Sequence, residues 1–277
     1  MKIIINADDL GLSKESNEGI LEAYRQGYIT QSTFVVNSTE STAGAAIAHQ
    51  NGFNDIVGLH LNLSEGTPLT EDIKRYTKYV VNNKFCYIPE FMQKEHYTKS
   101  PLYTYAEYIQ TPAFEKEVQA LRKELEAQIQ KFISFGFICN HIDSHCNQLV
   151  DLPVWIAIKP LLKKYHFKSM RGIYHSFYSN DIYNCIYRSW LNNELQSTGL
   201  LYFEYISSIS KFLMNKEHLS ENAIIELYVH PILSNGILID NFTGGKLLKD
   251  NISCLTAHDS CTYFKLANMY MNHSDCR

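Results

Sequence analysis

The chain has 277 residues, 45% of them hydrophobic, with a formal charge of −4 and a pI near 6.3. That is ample apolar material for a core. No basic run suits nucleic acid, and no apolar run approaches the roughly 20 residues of a membrane span.

In chain order, Lys2–Ala7 reads as a short buried strand, and Asp8-Asp9 follows at its C-terminal end. Gly11 breaks the strand, and Ser13 is placed to cap a helix running from Lys14 to Gln26. Ser32–Asn37 reads as strand, Ala43–Gln50 as helix and Ile56–Leu63 as strand. Residues 64–112 show little periodicity and read as a long insertion. Phe114–Phe135 is the clearest helix, with apolar positions 114, 118, 121, 125, 129 and 132 on one face. Phe137–His145 reads as strand, Val154–Tyr165 as helix and Phe167–Arg171 as strand. Residues 172–215 are aromatic-rich and irregular, with some helix; Ala223–Val229 is strand, and a final helix is expected over 259–271.

Strands alternating with helices imply βα units and a parallel sheet. Six or seven strands suit either an open sheet or a distorted, incomplete (β/α) barrel of the TIM type. One domain over 1–277 is the simpler expectation, with the stretches at about 64–112 and 172–215 as elaborated loops over the active face. Seven cysteines in no CxxC pair, and no signal-like opening, lead us to expect a reduced, cytoplasmic protein. Nineteen tyrosines and fourteen phenylalanines supply rings that fill a core or stack on sugars.

Four strand ends carry polar residues suited to metal chemistry. Besides Asp8-Asp9, His60 and Asn62 share one face of a strand whose other face is leucine. His141, Asp143 and His145 alternate on one face of the next, and Glu226, Tyr228 and His230 on one face of the last. Such groups at buried strand ends need a cation, a proton or a dense hydrogen-bond network to compensate them. One Asp and two His leave positions open on a zinc or other divalent ion, as catalytic sites do. A second carboxylate can then serve as base, and a separate histidine can protonate a leaving amine.

Asn-Ala-Asp-Asp-Leu-Gly-Leu-Ser at 6–13, Val-Gly-Leu-His-Leu-Asn-Leu-Ser-Glu-Gly at 57–66, His-Ile-Asp-Ser-His at 141–145 and Glu-Leu-Tyr-Val-His-Pro at 226–231 resemble the YdjC-like carbohydrate deacetylases, which include chitooligosaccharide deacetylases. The resemblance covers nearly the whole chain, in order and spacing. It implies a distorted (β/α) barrel and metal-dependent removal of acetyl from N-acetylated mono- or oligosaccharides. Carried over by motif, Asp9, His60 and His145 hold one divalent ion, zinc or magnesium. Asp8 is the general base, His230 the general acid, and Arg171 orients Asp8. His141, Asp143 and Asn62 support these ligands or the substrate, and a homodimer is compatible with the family. Two departures bear on the substrate pocket: Cys146-Asn147-Gln148-Leu149 stands where the family has further histidines, and Ile232 where it has a small residue. The rival readings are a metallohydrolase of another ester or amide on the same barrel, and a non-catalytic sugar-binding barrel.

Overall fold

The computed structural model describes residues 1–89, 108–172, 182–202, 205–243, 246–247, 249, 252, 255 and 259–260. Seven parallel strands build the main sheet: β1 (Lys2–Leu10), β2 (Gln31–Phe34), β3 (Val57–Leu61), β4 (His141–Ser144), β5 (Ser169–Met170), β6 (Tyr205–Ser208) and β7 (Ile224–Val229). Their spatial order is β5-β4-β3-β2-β1-β7-β6. Leu201, just before β6, makes a parallel bridge to Ser169 of β5, so the two ends of this order approach one another. The sheet is thus the expected incomplete (β/α) barrel. The described helices are α1 (Lys14–Arg25), α2 (Ser41–Gln50), α3 (Pro112–Ser134), α4 (Leu152–Lys164), α5 (Ile182–Gln196) and α6 (Ile209–Asn215). None is long and apolar enough to cross a membrane.

The strands are short and buried on both sides, as parallel strands under a helical layer must be. In β1, Ile3, Ile5 and Ala7 join the main hydrophobic core, while the alternate residues Asn6 and Asp8 are buried in a polar network. Helix α1 starts where Ser13 forms a reciprocal capping box with Ser16. Helix α3 starts at Thr111, which caps Phe114, with Pro112 in the first turn, where its missing N–H costs nothing.

Several expectations are corrected. Strand β4 begins only at His141 and ends at Ser144, because Cys146 and Asn147 adopt left-handed φ values of 50° and 57° and bend the chain at His145. The stretch 172–215 is more regular than its composition suggests. It carries α5, β6 and α6, and β6 is a barrel strand paired to β7. Its aromatic residues mask the helical spacing that buries Tyr187, Leu191 and Leu195. Asp259–Ser260, placed at the start of an expected helix, pairs in parallel with Lys2 and Ile3 of β1; the rest of 259–271 lies outside the described residues. Of the insertion at 64–112, residues 90–107 are likewise outside them.

The described part of that insertion is packed wall. Ile73, Tyr79, Phe85 and Tyr87 are buried in the core. Buried polar residues of α3, and Asp151 just before α4, hold the segment by its backbone and hydroxyls. Glu124 accepts from the amides of Leu69 and Thr70 at 3.0 and 2.8 Å, Glu117 from the Tyr79 hydroxyl at 2.5 Å, and Asp151 from the Tyr87 hydroxyl.

Candidate active site

Adjacent residues of a regular strand face opposite ways. Asp8 and Asp9 escape that rule. Asp9 has a left-handed φ of 76°, and the pairing of β1 with β2 slips between Ala7 and Leu10, the mark of a bulge. The bulge lets both carboxylates meet His230, whose Nε2 lies 3.9 Å from an oxygen of each. Gly11 ends the irregular stretch at φ +85°, where an added Cβ would lie 2.5 Å from the Phe34 ring. Asp is one of the few residues other than glycine that accept a left-handed backbone.

Asp9 gathers two histidines from separate strand ends. His145 Nδ1 lies 2.8 Å from Asp9 Oδ1, and His60 Nε2 lies 3.4 Å from the same oxygen. One ligand atom from each of Asp9, His60 and His145 falls within 4.8 Å of the others. His60 reaches this point through strand register: it pairs with Asp143 across β3 and β4, and its Nδ1 lies 2.5 Å from Asp143 Oδ1. Gly58, two residues earlier, lets β4 come close, for a Cβ there would sit 2.9 Å from the His141 carbonyl.

The donor set fits a divalent cation. His60 Nε2 is fully buried and makes no hydrogen bond, a costly arrangement unless another species accepts its lone pair. Ligand bonds of about 2.0–2.2 Å meeting near the tetrahedral angle put donors about 3.3 Å apart, close to the spacing of His60 and His145 from Asp9. Without a cation, protons hold these groups together. Burial disfavours a charged His60, but the Asp143 carboxylate outweighs it and pushes the imidazole up to about 10. Burial likewise opposes charge on His145 and Asp9; their mutual hydrogen bond prevails, raising the one and lowering the other.

Beside this cluster Asp8 is held by Arg171, whose two terminal nitrogens donate to its two oxygens at 2.8 and 2.7 Å, and by Asn6 Nδ2 at 2.7 Å. Burial alone would raise the Asp8 carboxyl, yet the Arg171 charge holds it well below the usual carboxylate range. Arg171 also donates from Nε to Glu226 Oε1 at 2.6 Å and sits 2.7 Å from Asp143 Oδ2. Thus one guanidinium compensates three buried carboxylates, and Asp143 links it to His60.

The structure brings Asp8, Asp9, His60, Asp143, His145, Arg171 and His230 into one cluster. His141 lies alongside, buried, with Nδ1 3.0 Å from Ser169 Oγ; burial lowers it to about 3, so it is neutral at pH 7. Asn62 binds the chain itself, donating to Asn37 Oδ1 and the Glu65 carbonyl and accepting from the amides of Ser64 and Glu65. Sequence reasoning passed over Asn6, Thr33 and Phe242 and gave Glu226 no role. Asn6 and Glu226 sit two and four residues before Asp8 and His230 on the same strand faces, which was the available signal. Thr33 donates to Asp143 at 3.1 Å, and Phe242 stacks on the His230 ring at 5.4 Å.

Residues 2–253 match the family model described as YdjC-like protein. The chain belongs to this family. Among its relatives, a protein named carbohydrate deacetylase 1 from Listeria innocua is 28% identical, aligned over 83% of this chain and 81% of its own length. A protein named carbohydrate deacetylase from Vibrio parahaemolyticus is 32% identical over 62% of this chain and 59% of its own. A candidate cellobiose-phosphate cleavage protein from Enterococcus faecalis V583, solved by crystallography, superposes with a TM-score of 0.65. It is 18% identical, covering 96% of this chain and 98% of that one, and so supports the fold.

Proposed function

We propose that this protein is a divalent-metal-dependent carbohydrate deacetylase that removes acetyl from N-acetylated mono- or oligosaccharides. The observation that carries the reading is the meeting of Asp9, His60 and His145 within 4.8 Å, beside a second carboxylate and a further histidine. A sugar-binding module has no use for an ionised acid and an imidazole facing one another across such a cluster. The names of the Listeria and Vibrio relatives support the substrate class.

A divalent cation held by Asp9, His60 and His145 would supply an acidified water and a polarised acetyl carbonyl, which is what a base as firmly ionised as Asp8 requires. Asp8, oriented by Arg171 and Asn6, accepts the proton of the water that attacks the acetyl carbon. His230 presents Nε2 to the same place, backed by the Phe242 ring, and gives a proton to the departing nitrogen as the amide C–N bond breaks. Acetate and a free amino sugar result. Two imidazoles and a carboxylate favour zinc over magnesium.

The test is acetate release from N-acetylglucosamine and its short oligomers by the metal-stripped protein resupplied with zinc, magnesium or cobalt. We expect release that depends on the added metal, with zinc or cobalt the more effective. No release from any acetylated sugar under any metal would refute the assignment.

A further inference from the structure

His60 and His145 each turn one nitrogen inward and one outward, and both outward nitrogens face a carboxylate. His60 meets Asp143 through Nδ1 and turns Nε2 towards Asp9. His145 is reversed: Nδ1 faces Asp9 Oδ1 at 2.8 Å, while Nε2 lies 3.7 Å from Glu65 Oε1. A neutral imidazole carries one N–H, and a nitrogen that binds a cation must be bare. The proton therefore belongs on the outward nitrogen, where a carboxylate can take its hydrogen bond.

We infer that Glu65 is the positioning residue for His145, holding the proton on Nε2 so that Nδ1 is the nitrogen offered to the cation. This rests on the cation site proposed above. The loop is built to hold Glu65 still. Its amide donates to Asn62 Oδ1 at 3.1 Å, and its carbonyl accepts from Asn62 Nδ2 at 2.9 Å and Asn37 Nδ2 at 3.5 Å. Asn62 is itself tied through its amide to Gln128 of α3 at 3.1 Å. Gly66 follows with φ +75°, and a Cβ there would lie 2.3 Å from the Asn37 carbonyl, so the turn beyond Glu65 admits only glycine. The Glu65 side chain is 58% exposed and anchors nothing in the core, so a packing role does not account for its placement. Asn62, which makes no contact with the cluster's ligand atoms, acquires a purpose as the clamp on Glu65.

The experiment uses the full chain, stripped of metal and titrated calorimetrically with zinc, alongside long-range proton–nitrogen NMR of the zinc-loaded protein labelled on histidine. We expect His145 to be ligated through Nδ1 and protonated on Nε2, with His60 the reverse. Glu65→Ala should weaken zinc binding about tenfold or more, Glu65→Asp should restore most of it, and thermal unfolding of the metal-free variants should match the parent. Ligation of His145 through Nε2, or parental zinc affinity in Glu65→Ala, would overturn the positioning role alone. Failure of the parent protein to bind zinc would overturn the cation site and this role with it.

Discussion

Asp8 and Asp9 are chemically identical neighbours given different partners by their surroundings. A bulge and one left-handed residue turn both inward; Arg171 then claims Asp8, and the histidines claim Asp9. Asp8→Asn should keep metal stoichiometry, measured by elemental analysis, and lose roughly two to four orders of magnitude in turnover. Normal turnover would show that Asp8 is not the base. His60→Ala should lose bound metal by the same measurement, since it removes one of the three ligand atoms that lie within 4.8 Å of one another. Arg171→Met would leave Asp8, Asp143 and Glu226 buried without their shared cation. A loss of about 3–5 kcal/mol in urea unfolding is expected, and a stable variant would mean that protons replace the guanidinium without strain. The acids and histidines themselves were legible as residue types at strand ends. Their division of labour came only from the family resemblance and not from the residue types, because it depends on which carboxylate the guanidinium of Arg171 reaches.

Helix α3 shows how an element serves two layers. The apolar stripe read from its sequence is buried in the core as expected. Glu117, Glu124 and Gln128, interspersed with that stripe, are also buried; the two acids hold the 64–89 wall, and Gln128 holds the Asn62 backbone just before it. Charged residues within a helix normally read as its solvent face, and only the presence of the wall explains these. Glu124→Ala would take the acceptor from the half-buried amides of Leu69 and Thr70. It should cost about 1–3 kcal/mol and open residues 66–89 to protease, with urea unfolding and limited proteolysis as the measurements. Strand β4 is the converse case. Its apolar and polar alternation was legible, but its end at Ser144 was not, because the left-handed turn at Cys146 and Asn147 has no glycine to announce it.

For the whole molecule the buried charges make stability depend on pH. The Asp8 and Asp9 carboxyls lie below their ordinary 3.8, so what they contribute is present above about pH 4 and is lost as pH falls. His60, raised from 6.5 to about 10, contributes fully below pH 6.5 and loses that contribution as pH rises towards 10. His141, lowered from 6.5 to about 3, works the other way, its contribution being present above pH 6.5 and lost as pH falls towards 3, so the metal-free protein should be most stable near pH 6.5. Urea midpoints across pH check this, with Asp8→Asn flattening the acid limb. A cation at the proposed site would have to displace the protons on His60 and His145. Zinc binding at pH 7 should accordingly release protons, seen as a calorimetric heat that varies with the buffer, and affinity should rise with pH.

The sequence by itself determined the alternation of strands and helices, the residues at their ends and the family. These follow from local periodicity, capping and motif order, which are properties of contiguous residues. Only the tertiary structure decided that β6 completes the sheet, that 64–89 is wall, that Glu226 and Asp143 share Arg171 with Asp8, and that Glu65 faces His145. Those are contacts across long stretches of chain, set by strand register and by the need to compensate every buried charge, and neither is written in the spacing of neighbours.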